Sequence, residues 1–162
     1  MSLTIDPRDP RLGHGTDAAP GPQNETYLVL SEEERAKGFR RPVLRSYKHV
    51  GIPGPRWPLR DLTDEERERY AGTGYVKYEP YPADDRPTLG QFWRQADLDR
   101  AGKGCGTITT MGRPLAETYA RNPSFYGATY CCGCQMHLPV GPDGEFTWMD
   151  QRGRDSGERV GT

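Results

Sequence analysis

Cys131-Cys132-Gly133-Cys134, with His137 three residues beyond and a lone Cys105 upstream, is the stretch on which the fold of this chain turns. Two thiols flanking a glycine-containing pair form the turn that grips one face of a tetrahedral metal ion. Glycine at 133 lets the backbone turn so that amide protons point at the sulfurs, because glycine reaches positive φ freely. Cys105, followed by Gly106, offers a third thiolate from a separate loop. The fourth ligand is contested between two histidines. His49 ends a strand just before a Gly-Pro loop, a place from which a ligand is delivered over a distance. His137 has the C-x2-C-x2-H spacing and is near in sequence whatever the fold, but it lies where the outgoing strand starts. His49 is preferred, with His137 as the alternate. Cys132 is placed in the core, since adjacent residues rarely bind one ion. A closed Cys3His set leaves no open position, so the expected metal is a structural zinc; a paired iron–sulfur site asks for four thiolates. The plainer alternative is four buried thiols without metal.

Composition explains why such a staple would be needed. Only 33% of the 162 residues are apolar, and Gly 20 with Pro 15 make up more than a fifth of the chain. Scarce aliphatics at this level approach the range of disordered chains. The nine Tyr and three Trp offset this, because each aromatic buries a large area. The expected fold is α+β: a small zinc-ribbon-like antiparallel β core with short helices and long Gly/Pro-rich loops. Residues 1–24, rich in Gly and Pro and containing His14, read as a flexible N-terminal tail. Residues 25–162 read as a single zinc-stabilised domain.

Local signals place the elements. Thr26–Leu30 is a short strand, and Ser31 with Glu34 opens a helix over Glu32–Lys37. Pro42–Val50 is extended, with Val43, Arg45, Tyr47 and His49 on one side. Three prolines between Gly51 and Pro58 forbid regular structure there, and Trp57 pins that loop. Thr63 and Glu66 form a second capping box. Tyr75–Glu79 is an aromatic strand, and Gln95–Arg100 is helical. Thr107–Thr110 is extended. Pro114 suits a first helical turn, and Asn122-Pro123 ends the helix over Leu115–Arg121. The final third is β, with Asp143-Gly144 as a hairpin signal before Glu145–Met149.

A net charge of -1 argues against a general nucleic-acid binder, which needs a basic face to displace counterions. A local basic stretch, Arg40, Arg41, Arg45 and Lys48, keeps nucleic acid as an alternative partner to protein. Residues 1–24 lack an apolar segment, and no run approaches a membrane span, so a reducing cytoplasmic setting without a membrane is expected. Oligomeric state is not encoded in any pattern. No phosphate-cradling loop, HExxH, GxSxG or deaminase signature occurs. A small metal-assisted hydrolase or nuclease would have to use His137 beside Glu117 or Glu145. Tyr119, Phe125, Tyr126, Tyr130 and Trp148 read as core aromatics, with a base-stacking platform as the other use.

The blocks Cys105–Met111, Ala116–Cys131, Gly133-Cys134, His137–Val140 and Glu158–Gly161, with Arg41–Gly51 upstream, resemble a family of small uncharacterised (actino)phage- and prophage-associated proteins. The similarity spans residues 26–162. It implies a phage or prophage origin and a shared C…CxGCxxH pattern. It implies no chemistry, and it does not rank the two histidines.

Overall fold

The computed structural model describes residues 2–12, 26–82 and 90–162. In chain order its elements are β1 (Ser2–Thr4), β2 (Thr26–Leu28), α1 (Glu32–Ala36), β3 (Ser46–His49), β4 (Arg60–Asp61) and α2 (Asp64–Arg69). They continue with β5 (Tyr75–Pro80), β6 (Gly90–Arg94), α3 (Gln95–Arg100), β7 (Ile108–Thr110) and α4 (Arg113–Arg121). Last come β8 (Ala128–Cys131), β9 (Met136–Pro139), β10 (Phe146–Met149) and β11 (Asp155–Arg159). The fold is α+β, built of small sheets that are antiparallel except for the parallel β1–β2 pair.

The chain divides into two compact units. Met1–Gly51 with Gly104–Thr162 forms the first, and Ile52–Lys103 is inserted as the second. Residues 2–12, read from sequence as part of a flexible tail, belong to the first unit. β1 runs parallel to β2, and Leu12 is buried in the core. The rest of that predicted tail, with His14, lies outside the described residues.

The first unit is organised by a four-stranded sheet in the order β11-β10-β3-β7. Strand β3 covers only part of the predicted 42–50 run; Pro42 has no N–H to give a ladder. Alternation along β3 buries Tyr47 and His49 and leaves Ser46 and Lys48 partly exposed. Tyr47 stands opposite Trp148, and His49 opposite Phe146. The rings of Phe146 and Trp148 meet Tyr47 edge-on at 5.2 and 6.1 Å. Tyr119 meets Trp148 in the same way at 5.7 Å. Each such buried side chain contributes about 1.5–3 kcal/mol, so rings carry the load that aliphatics carry elsewhere. Helix α4 starts with Pro114 in its first turn and buries Ala116 through Ala120. Glu117 on that buried face is held by Arg35 and Arg113 at 2.7 and 3.1 Å.

The second unit has its own sheet, β4-β5-β6, with α2 and α3. The Thr63–Glu66 capping box is complete, whereas at α1 only Ser31 caps, because the Glu34 carboxylate pairs with Lys37 and Arg121 instead. Glu79, 2% exposed, accepts hydrogen bonds from the amides of Arg56 and Trp57 and from the Trp93 indole. The Trp57 ring packs on Tyr81 at 4.9 Å, so the proline loop is pinned as expected.

Candidate metal centre

Three segments of the first unit converge at one point. The β8–β9 hairpin carries Cys131 and Cys134 at its turn, β3 ends on His49, and the loop before β7 holds Cys105. Pairing of β3 with β7 fixes that loop: the His49 amide donates to Thr107 O at 3.1 Å, and the Gly106 amide donates to His49 O at 3.0 Å. The approach is close enough that a Cβ at Gly104 would overlap the His49 carbonyl. Gly106 takes φ +75, a left-handed conformation that glycine adopts freely, directly after Cys105, whose sulfur approaches His49 and Cys131.

The hairpin turn departs from expectation in one respect. Positive φ falls not at Gly133 but at Gln135, at φ 54. Gly133 is needed for space, since a Cβ there would strike the Thr107 side chain and stand 2.8 Å from Cys105 Sγ. The turn closes with the Gln135 amide donating to Cys131 O at 2.8 Å, and the Cys134 amide points at Cys131 Sγ at 3.4 Å.

One ligand atom from each of His49, Cys105, Cys131 and Cys134 lies within 4.8 Å of the other three. His49 Nδ1 is 3.3 Å from Cys105 Sγ, 3.4 Å from Cys134 Sγ and 3.8 Å from Cys131 Sγ. Cys105 Sγ and Cys131 Sγ are 3.5 Å apart. A tetrahedral zinc with its usual bond lengths demands edges of about 3.8 Å between sulfurs and about 3.6 Å from sulfur to nitrogen. The donor set fits such an ion. His137, the alternate fourth ligand, is not among the four. It sits on β9 opposite Tyr130, and its ring meets Tyr130 edge-on at 5.5 Å. Cys132 is exposed rather than core-packed; its amide donates to the Thr109 hydroxyl at 3.1 Å.

The imidazole of His49 is oriented from both sides. The Cys105 amide donates to Nδ1 at 3.2 Å, so the lone pair lies on Nδ1, the atom facing the thiols. The proton then sits on Nε2, which reaches Glu145 Oε2 at 3.3 Å. Phe146 packs on the imidazole at 5.2 Å. A carboxylate behind a ligating histidine fixes its tautomer and raises its basicity. Sequence reading weighed Glu145 only beside His137. Its partnership with His49 comes from the β10–β3 register, which no local pattern reveals.

The thiols divide in their acidity. Desolvation works against ionisation of Cys105, but hydrogen bonds, led by those from the Thr107 hydroxyl and amide, outweigh it and hold this thiol down at about 6. Burial first, and then the neighbouring Cys105 and Cys131 sulfurs, push Cys134 up to about 12. Cys131, with no exposed surface, is also pushed up by burial, against the pull of the Cys134 and Gly133 amides. Crowded thiolates repel, and a cation among them relieves that repulsion.

The other candidate groups go elsewhere. In the basic stretch, Arg41 bonds Glu158 at 2.7 Å and the Thr162 carbonyl, and Arg45 Nε donates to Met111 O. Glu117 pairs with Arg35 and Arg113, and Glu145 with His49. Tyr119, Tyr126 and Trp148 are core residues, and Phe125 packs against that core. No helix among the described residues is long and apolar enough to cross a membrane. Comparison with protein-family models, curated proteins and solved structures finds no match.

Proposed function

We propose that His49, Cys105, Cys131 and Cys134 hold one structural zinc ion, and that the protein is a zinc-stapled accessory module that binds another protein. The observation that carries the metal assignment is the convergence of three sulfurs and Nδ1 from separate segments to tetrahedral spacing. Four protein donors complete a tetrahedron, leaving no coordination position for water or substrate, so the ion's role is folding rather than turnover. The amide pointing at Cys131 Sγ and the Glu145 carboxylate behind His49 form the supporting layer such centres use. A protein partner is favoured over nucleic acid because Arg41 and Arg45 are engaged within the fold and the net charge is -1. The phage or prophage origin, and with it a bacterial cytoplasm, rests on the sequence blocks named above.

Elemental analysis of the purified protein with three variants tests the assignment. Cys134→Ser and His49→Ala should each release the metal and loosen the first unit, while His137→Ala keeps it. A wild-type protein that folds with no bound metal, or a His137→Ala variant that alone loses it, would reject the proposed ligand set.

A further inference from the structure

The first unit carries a partly open pocket of about 170 Å³, lined among others by Tyr27, Tyr47, Tyr119, Tyr126, Tyr130 and His137. Its volume is close to that of an apolar protein cavity of about 150 Å³ that takes up benzene. The walls are held in place by bonds made within the protein. The Tyr47 hydroxyl donates to Tyr130 O at 2.5 Å and accepts from Thr129, and the Tyr126 hydroxyl accepts from the Leu28 amide at 2.7 Å. These bonds fix the Tyr47 and Tyr126 rings, so that part of the wall is pre-formed.

Two polar groups of the lining are not used in this way. Neither the His137 imidazole nor the Tyr130 hydroxyl has a hydrogen-bond partner among the described residues; the two rings meet edge-on at 5.5 Å. Desolvation lowers the His137 pKa, which keeps the ring neutral, with one donor and one acceptor nitrogen. An aromatic-walled space with an unused donor and acceptor in its lining suits a flat ring with one polar substituent. Ring edges and faces of five tyrosines add contacts that an aliphatic ring of equal size does not gain.

We propose that this cavity binds a free monocyclic aromatic molecule with one hydrogen-bonding substituent, of the phenol class. The ring lies among the tyrosines, and the substituent bonds His137. The site is separate from the metal centre, whose ligands do not include His137.

Phenol, benzene and cyclohexanol titrated into the full-length protein, followed by NMR of the His137 and Tyr130 side chains, test this. Phenol should shift both residues saturably, and cyclohexanol should bind more weakly by about tenfold. His137→Phe should weaken phenol by about three- to tenfold, the loss of one hydrogen bond, and leave benzene unchanged. Metal content measured on the same samples should stay constant, which separates this outcome from that of the zinc assignment. Absence of saturable shifts with phenol in the wild type overturns the proposal whatever the variant does, as would cyclohexanol binding as tightly as phenol.

Discussion

Replacing Glu145 by Gln isolates the contribution of the residue behind the histidine of the proposed metal site. The two side chains are each 7% exposed and meet at 3.3 Å between Oε2 and Nε2. Gln retains the size and one acceptor oxygen, and the Glu145 backbone oxygen still receives the Val50 and Gly51 amides, so the β10–β3 junction persists. What disappears is the charge on a buried acceptor. Charged hydrogen bonds are worth about 1.5–3 kcal/mol and neutral ones about 0.5–1.5 kcal/mol. The difference, about 1–2 kcal/mol, corresponds to a loss of about five- to thirty-fold in metal affinity. That agrees with the general effect of removing such supporting partners, about 10–100-fold. Competition between the protein and a chromophoric chelator measures it, with cobalt(II) spectra reporting whether the tetrahedral site survives. An affinity unchanged within a factor of two, with the cobalt spectrum intact, would refute the view that Glu145 orients and charges His49.

Acidity and backbone strain supply two further expectations. At pH 7 Cys105, held at about 6, is already ionised, while Cys131 and Cys134 keep their protons, so binding one zinc should release two protons. Affinity should therefore fall as pH falls, and more steeply below pH 6, where Cys105 also takes a proton. In the metal-free protein the raised Cys131 and Cys134 act in the opposite direction, giving stability that is present below their ordinary pKa and lost as pH rises above it. Calorimetry in buffers of different ionisation enthalpy counts the protons; release near zero at pH 7 would overturn this ordering. Gln135→Gly should raise the melting temperature, because a non-glycine residue at φ 54 costs about 1–2 kcal/mol and glycine returns only part of that as unfolded-chain entropy. A lower melting temperature would show that the Gln135 side chain contributes more than its backbone costs.

Much of the centre was legible because its parts are local. The spacing of Cys131 and Cys134 and the glycine after Cys105 are features of a few residues each, and the alternation that puts Tyr47 and His49 on one side of β3 is read directly from period two. Position at the end of a strand also favoured His49 over His137. What was not legible depends on pairings between distant segments. Glu145 lies near His49 only because Phe146 stands opposite it in the β10–β3 register. Gly133 is small because of Thr107, a residue from another strand's approach, and not because of its own φ. The short span of β3 and the inclusion of residues 2–12 in the first unit likewise follow from partners that sequence does not name.

The segment Ile52–Lys103 interrupts the chain between His49 and Cys105, the first two members of the proposed ligand set, which are 56 positions apart. An ion that ties these two positions closes a long loop, and closure entropy grows only slowly with length, as (3/2)RT ln n. Doubling or halving the excursion would then change the cost of assembling the centre by about 0.6 kcal/mol. The cost of bringing His49 and Cys105 together is therefore nearly insensitive to the length of the segment between them.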